Sequence, residues 1–345
     1  MTQRLSLGTC AFGRAIDAWG RPLDGGVPLR GNAVALHLQP PGPRERAPVA
    51  APLWTGIRAV DALLTIGRGA RVGIFGPPGA GKTTLIESIV NGCAADAVVV
   101  GLVGERGREA QLWMDRRDER TTVVCATSDR HARERVRAAH VAFVHAAALR
   151  ARGLHVLMIL DSLARFAAAL REIGIAGGES AGRAGYPPSV FAEMARMLEV
   201  AGALEHGSIT LVATVIYDGD ERDPVSEAAR SLLDGHIALA ARLAEAGRFP
   251  AIDVPASASR TMDDVAGDRH RSDANAVRQA IAALDRVEDA RALGIVPNGE
   301  SIRAAIATEG RIEAFLRQDR SPSPPGEAIA ELRKIAELLV LNSAT

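Results

Sequence analysis

The chain has 345 residues, 47% of them hydrophobic, which is enough for one large core or for two domains. Its 41 basic and 41 acidic residues cancel, so a partner recruited by bulk charge, such as nucleic acid or an anionic membrane, is not expected. The sequence contains no 18-residue apolar run, and its first residues lack the apolar core of a signal peptide. Three isolated cysteines without metal-ligand spacing fit a reducing cytoplasm, where we expect the protein to act.

Glycine and proline punctuate residues 1–50, which we expect to be a connector segment without a core of its own. A turn is predicted at Gly20–Gly26, and Gln39–Pro43 is typical of an extended segment. A helix is predicted over Ala59–Leu64, shortly before the first core strand.

Residues 51–264 are predicted to form an α/β core with a mainly parallel sheet flanked by helices, because apolar runs alternate with helical patterns. The apolar runs lack polar alternation, as strands buried on both faces do. They lie at Arg71–Phe75, Ala97–Val103, Thr121–Ala126, Leu154–Leu160 and Ser208–Val215. Helical spacing is found at Thr83–Asn91, Arg133–Arg152, Leu163–Ile173 and Val190–Ala203. The glycine-rich stretch Gly174–Gly185 is predicted to be a mobile loop.

Residues 265–345 are predicted to form a small all-helical C-terminal domain. Helical spacing without intervening strands is found at Ala274–Leu293, Glu300–Leu316 and Glu327–Leu341. The last helix carries an apolar stripe that we expect to dock onto the protein's own domain, formed by Ile329, Leu332, Ile335 and Leu339.

A phosphate-binding loop is predicted where the first buried strand meets the first core helix. The spacing G-x-x-x-x-G-K-T is that of a P-loop, or Walker A motif, in which backbone N–H groups point at phosphate. Lys82 would reach the β- and γ-phosphates of a nucleotide, and the Thr83 hydroxyl would take a place on Mg²⁺. The chain has only one other lysine, Lys334, which indicates that a compact ammonium is needed here. A Gly/Pro surface turn is the alternative, and the strand and helix on either side argue against it. The residues predicted to bind nucleotide here are Gly76, Pro77, Pro78, Gly79, Ala80, Gly81, Lys82, Thr83 and Thr84.

A carboxylate ends the apolar run Leu157–Leu160. Alone, Asp161 would be an ordinary strand terminus. Downstream of a P-loop it is the expected Walker B aspartate, which holds the Mg²⁺ shell through water.

A charged cluster, Gly104–Glu109, follows the second core strand. The carboxyl ends of parallel strands form the edge where α/β proteins bind ligands. Glu105 is therefore placed to orient or deprotonate an attacking water, and Arg106 could face the γ-phosphate. A solvated loop with ion pairs is the alternative, and spacing alone leaves it open.

Four segments together resemble the ATPases of type III secretion systems and of flagellar export, which are similar to the catalytic β subunit of rotary ATP synthases. The segments are Gly104–Glu109 (GERGRE), Asp161–Phe166 (DSLARF), Gly185–Phe191 (GYPPSVF) and Arg230–Ile237 (RSLLDGHI). They occur in the family's order, and the match runs from about residue 8 to residue 265. The resemblance implies a RecA-like P-loop NTPase fold.

The resemblance also implies a cytoplasmic homohexamer with ATP sites between its subunits. By motif match it supports the roles given above to Lys82, Thr83, Glu105 and Asp161. It assigns Phe249 to packing on adenine. It assigns Arg260 as an arginine finger for the neighbouring subunit's γ-phosphate, a group that accelerates related reactions by ~10³–10⁵.

The chain departs from the family pattern at three places. Family members carry an N-terminal β-barrel domain that helps to hold the ring together, and this chain opens near the post-barrel segment. We expect the barrel to be missing, whether through trimming, a misassigned start or natural absence. Ala164 stands where the family usually has Thr, and Ala110–Met114 lies in a shorter, diverged stretch. These departures leave the phosphate chemistry intact and are expected to weaken the hexamer.

The predicted function is an ATPase motor subunit at the cytoplasmic face of the inner-membrane export apparatus of type III secretion. It would release effectors from chaperones and help to unfold them. Its expected partners are further copies of itself, stator and stalk proteins and chaperone–effector complexes, without nucleic acid. A flagellar export ATPase shares every motif, and gene neighbourhood would separate the two. A ring-shaped RNA translocase is disfavoured by the balanced charge, and a subunit that binds nucleotide without hydrolysing it is disfavoured by Glu105.

Overall fold

A computed structural model describes residues 4–31, 33–37, 39–216, 223–295 and 299–343. Contacts divide the chain into two compact units. Unit 1 consists of Met1–Val49, Arg68–Phe75 and Ala95–Asp234, and unit 2 of Ala50–Gly67, Gly76–Ala94 and Gly235–Thr345. The division into a connector, an ATPase core and a C-terminal domain at residues 50 and 264 stays a prediction.

The strands of the described residues are short at the N-terminus and longer in the core. In chain order they are β1 (Arg4–Ser6), β2 (Ala15–Asp17), β3 (Ala33–Ala35), β4 (Pro52–Leu53), β5 (Ile66–Gly67), β6 (Arg71–Gly76), β7 (Ala97–Val103), β8 (Thr121–Ala126), β9 (His155–Asp161), β10 (Gly202–Ala203), β11 (Ser208–Ile216), β12 (Gly235–Leu239) and β13 (Ile252–Ser259).

The helices of the described residues are longest in the C-terminal part. They are α1 (Arg58–Leu63), α2 (Lys82–Gly92), α3 (Gly107–Arg116), α4 (Ala132–Arg150), α5 (Leu163–Ala176), α6 (Pro188–Leu198), α7 (Pro224–Leu232), α8 (Ala241–Glu245), α9 (Met262–Val265), α10 (Asp268–Ala292), α11 (Glu300–Leu316) and α12 (Pro325–Ser343). Within the described ranges, none of them has the length and apolar character needed to cross a bilayer.

Unit 1 is built on a mainly parallel sheet with the strand order β6-β11-β9-β7-β8-β2. The pairs β11–β9, β9–β7, β7–β8 and β8–β2 are parallel, and the short strand β10 pairs antiparallel with β11. Every residue of β7 and β8 is buried, and α4 packs on β7, β8 and β9. The valine-rich runs fit this environment because β-branched side chains pack well on a sheet covered on both faces.

The N-terminal segment has no core of its own, as expected from its sequence. Its strand β2 extends the sheet through the parallel pairs Ala15↔Val123 and Ile16↔Val124. Leu7 and Ile16 are buried in the same apolar cluster as the sheet.

Unit 2 contains two antiparallel strand pairs, β4–β5 and β12–β13, together with the C-terminal helices. Helices α10, α11 and α12 pack on one another, and α1 contacts all three. Leu332, Ile335 and Leu339 of the predicted stripe are buried and Ile329 is half-buried. The prediction that this stripe docks onto the protein's own chain is confirmed.

The predicted core strands are confirmed to within one residue at each end. Two other predictions were wrong in part. The helix expected over Val190–Ala203 ends at Leu198, and its last two residues form β10. The expected loop Gly174–Gly185 begins inside α5, which continues to Ala176, and it ends in a 3₁₀ turn. Helix α3 was not predicted, because most of its residues are polar or exposed and only Ala110 and Trp113 are buried.

Gly92 ends α2 against another part of unit 2. A Cβ at this position would lie 2.3 Å from the Thr55 carbonyl oxygen and 3.2 Å from the Gly56 Cα. We expect Gly92→Ala to lower the free energy of unfolding by about 1–3 kcal/mol, because backbone must move to admit the methyl group. Urea denaturation measures the change.

Gly310 provides a matched control, since it lies exposed within α11 and a Cβ there would meet nothing within 4 Å. Gly310→Ala should raise the stability by about 0.5–1 kcal/mol through helix propensity. Equal unfolding midpoints for Gly92→Ala and the parent protein would contradict the close contact at Thr55.

Candidate functional site

The predicted P-loop joins β6 to α2 and adopts an open turn. Gly79 and Gly81 have φ angles of 83° and 90°, a backbone conformation that residues other than glycine rarely adopt. Gly81 is the N-cap of α2, and among the described residues no side chain caps this helix and no acidic residue lies in its first turn. The N–H groups of that turn and the positive end of the helix dipole are therefore available to an anion.

Lys82 lies across the loop. Its Nζ donates hydrogen bonds to the carbonyl oxygens of Gly76 at 2.8 Å and Pro77 at 2.7 Å. These bonds hold the ammonium beside the N–H groups of the turn, where it adds a full positive charge to their partial charges.

A cavity of about 360 Å³ adjoins the P-loop within unit 2. Its walls include Ala80, Gly81 and Thr84 on one side and Phe249 on another, so the structure brings these predicted residues together. The Phe249 side chain is 51% exposed, although it is large and apolar. An exposed ring in a largely apolar cavity is suited to stacking on a planar group.

Glu105 lies in unit 1, directly after β7, and is only 5% exposed. Its Oε1 is 3.0 Å from Nε of Arg165, in the first turn of α5. Burial, a hydrogen bond to Glu109 and the charge of Asp161 together raise the pKa of Glu105 to about 8, against the lowering effect of Arg165. A buried carboxyl whose pKa lies near neutrality is typical of a group that exchanges a proton during catalysis.

Asp161 ends β9 in the same unit, and in the parallel register it lies opposite Leu102 of β7. Its Oδ1 accepts a hydrogen bond from Thr214 Oγ1 at 2.5 Å, which orients the carboxylate. Among the described residues, no group of three or more His, Cys, Asp or Glu side chains could hold a metal. A single carboxylate such as that of Asp161 fits Mg²⁺, which keeps several waters and binds through nucleotide phosphates.

The two predicted arginines are exposed. Arg106 is the N-cap residue of α3, and Arg260 follows the last residue of β13. Neither guanidinium forms a hydrogen bond or ion pair with the described part of the chain. Both cations therefore remain available to an external anion.

Sequence analysis missed three side chains that act on the predicted ones. These are Arg165 and Glu109 beside Glu105, and Thr214 beside Asp161. Arg165 could have been found, since it follows Asp161 by four residues within the DSLARF segment. Thr214 lies in a different strand and carries no local signal.

The comparisons with known proteins agree with this geometry. The ATP synthase alpha/beta family, nucleotide-binding domain, matches residues 56–259. A type 3 secretion system ATPase of Pseudomonas syringae pv. syringae is 43% identical over 98% of this chain and 79% of its own length. A flagellum-specific ATP synthase of Bacillus subtilis is 40% identical over 96% of this chain and 78% of its own length.

Solved structures show the same fold. A prototypical ATPase from the type III secretion system of pathogenic bacteria is 38% identical, with a TM-score of 0.90 over 96% of this chain and 99% of that chain. The assembled ATPase EscN of enteropathogenic E. coli is 37% identical, with a TM-score of 0.92 over 96% of this chain and 83% of that chain. EscN has also been solved in complex with its central stalk EscO. This chain therefore belongs to the family of type 3 secretion ATPases and flagellum-specific ATP synthases, with the nucleotide-binding fold of the ATP synthase alpha and beta subunits.

Proposed function

We propose that this protein is an ATP-hydrolysing motor subunit of a type III protein secretion apparatus, where it energises the release of substrate proteins from chaperones and their unfolding for export. One observation carries the proposal. This chain, which is 43% identical to a type 3 secretion system ATPase, has both a P-loop lysine and the buried Glu105 carboxyl. A subunit that only binds nucleotide would not need Glu105.

In this proposal the P-loop binds the phosphates of ATP. The N–H groups of the turn at Gly79–Gly81 and the Lys82 ammonium neutralise the β- and γ-phosphates, and Thr84 lies on the same helical turn. Phe249 stacks on the adenine ring. The exposed ring and the adjoining cavity support that role.

Mg²⁺ is the cofactor that the donor set favours. The Thr83 hydroxyl would bind it directly, and Asp161 would hold its water shell. The ion supplies charge neutralisation for the phosphates of the bound nucleotide. The hydrogen bond from Thr214 keeps the Asp161 carboxylate in one orientation for this task.

Glu105 acts on the attacking water. The water oxygen forms a bond to the γ-phosphorus, its proton passes to the Glu105 carboxylate, and the bond between the γ-phosphorus and the bridging oxygen of ADP breaks. Arg165 orients the carboxylate through its 3.0 Å ion pair. Arg106 is assigned to the γ-phosphate, because it is exposed and next to Glu105 in the chain.

Arg260 completes the site of a neighbouring copy in a homohexamer. The exposed guanidinium without a partner among the described residues supports this role, as does the assembled state of EscN. The solved complex of EscN with its central stalk EscO supports a stalk protein as a partner. Stator proteins and chaperone–effector complexes are further partners in this proposal. The ring would act in the cytoplasm, at the inner-membrane export apparatus.

Flagellar export is the second candidate, because a flagellum-specific ATP synthase of Bacillus subtilis is 40% identical over 96% of this chain. The chemistry would be the same and only the apparatus would differ. Complementation of a secretion mutant and of a flagellar mutant with the same gene separates the two.

Glu105→Gln should retain binding of Mg·ATP and lose turnover by about 10²–10⁴-fold, because the amide cannot accept the proton of water. Phosphate release and calorimetric binding measure the two quantities. The exposed Glu119 supplies a control, since Glu119→Gln should leave both unchanged. Near-normal hydrolysis by Glu105→Gln would remove this residue from its role.

The pH profile follows from the raised pKa of Glu105. Since the residue must be ionised to accept a proton, kcat/KM should rise with pH and level off above about 8. Glu109→Gln removes a carboxylate that raises this pKa, and should therefore move the rising limb to lower pH. If the rise of kcat/KM with pH does not move in Glu109→Gln, the titrating group is not Glu105. The same conclusion follows if the residual activity of Glu105→Gln still shows this rise.

If each ATP site is shared between two copies, two inactive variants with defects on opposite sides of the site should restore activity when they are mixed. The activity of the parent protein should rise with protein concentration, because each site needs the Arg260 of the adjacent copy. Arg260→Ala and Lys82→Ala should each be inactive at every concentration. In an equimolar mixture about a quarter of the interfaces combine an intact P-loop with an intact Arg260, so activity should return in part. The exposed Arg303 serves as the control, and Arg303→Ala should behave as the parent protein. No recovery on mixing would contradict the shared site.

A further inference from the structure

The C-terminal end of α11 is held by Arg58, the first residue of α1. The Nε of Arg58 donates to the carbonyl of Phe315 at 3.0 Å, and its Nη2 donates to the carbonyls of Ala314 at 3.2 Å and of Arg317. The last carbonyls of a helix lack partners within it, and a cation is favourable there. Arg58 therefore fixes the end of α11 to the start of α1.

Gln318, two residues beyond α11, uses both ends of its side-chain amide. Its Oε1 accepts from the backbone N–H of Arg58 at 2.8 Å, and its Nε2 donates to the carbonyls of Gly56 at 2.7 Å and Ser321 at 2.9 Å. Both donor hydrogens are used, so the orientation of the amide is fixed. The backbone N–H of Gln318 donates to the carbonyl of Phe249 at 2.8 Å.

The chain before Phe249 is tied to the same helix end. Arg248 Nη1 lies 2.7 Å from Glu313 Oε1, and Arg317 Nη1 donates to the carbonyl of Gly247 at 3.3 Å. The Phe249 ring itself is half exposed. The hydrogen bonds from Arg317 and Gln318 to the backbone of Gly247 and Phe249 therefore help to set the position of this half-exposed ring.

Three walls of the cavity beside the P-loop depend on the contacts at the C-terminal end of α11. Phe249 and Gln318 line the cavity directly, and so does Ile57, which lies between the Gly56 carbonyl and the Arg58 N–H that bind the Gln318 amide. Movement of the end of α11 would therefore shift the walls around a bound base together.

We propose that Gln318 is a positioning residue for the base-binding wall of the nucleotide cavity, through which the C-terminal helices set nucleotide affinity. The inference rests on the proposed binding of a nucleotide in this cavity, and not on hydrolysis. Gln318 acts through Phe249 and Ile57 and leaves the P-loop contacts with phosphate unchanged.

The test compares ligands with and without a base. Gln318→Ala should raise the Kd of Mg·ADP about tenfold, the range expected when fixed hydrogen bonds are lost, while the Kd of Mg·tripolyphosphate stays within about twofold of the parent value. Isothermal titration calorimetry on the full chain measures both. A general loss of structure would raise the Kd values of both ligands by a similar factor.

Two further variants sharpen the result. Gln318→Asn keeps the amide but is one methylene too short to reach all three partners, so it should show the same selective loss and provides a milder change if Gln318→Ala folds poorly. Gln279→Ala alters an exposed glutamine on α10 and should leave both Kd values unchanged.

If folded Gln318 variants bind Mg·ADP and Mg·tripolyphosphate more weakly by the same factor, the positioning role is overturned. An unchanged Kd for Mg·ADP would overturn it as well. These outcomes leave the proposed function standing if the parent protein binds both ligands. A parent protein that binds neither ligand would instead contradict the proposed function, and this inference with it.

Discussion

Burial of the central strands on both faces is the constraint on which the rest of unit 1 depends. All residues of β7 and β8, and all but the last of β9, are buried, so a charge can be placed only where a strand ends. Parallel pairing brings the carboxyl ends of β7 and β9 to the same edge, with Leu102 opposite Asp161. Glu105 and Asp161 therefore lie near each other at this edge of the unit 1 sheet.

This crowding has an electrostatic consequence. Glu105 has the carboxylates of Asp161 and Glu109 beside it and little water around it, so its pKa rises to about 8. The folded protein binds this proton more tightly than the unfolded chain does, so the stability it contributes is present at low pH and is lost as the pH rises through about 8. Arg165 limits the effect through its ion pair. Ionising this buried carboxyl therefore costs stability at high pH.

Unit 2 contains a half-exposed aromatic ring, Phe249, whose backbone is held by hydrogen bonds. Hydrogen bonds from the segment at the end of α11 to the backbone of Gly247 and Phe249 help to hold it. Arg58 and Gln318 satisfy helix-end and turn groups that would otherwise lack partners. The contacts accordingly group the C-terminal helices with α1 and the P-loop segment.

The sequence by itself determined the elements whose signal is local. Five strands of the core (β6, β7, β8, β9 and β11) and the P-loop turn were predicted from neighbouring residues. Burial on two faces and the left-handed glycines at 79 and 81 are properties of short segments. Family motifs added Phe249 and Arg260, which spacing alone would not distinguish. Only the tertiary structure decided that Thr214 holds Asp161, 53 residues away, and that Gln318 binds Arg58, 260 residues away. Such hydrogen bonds form between groups that packing brings together, and no periodicity or turn residue in either partner's own segment indicates the other.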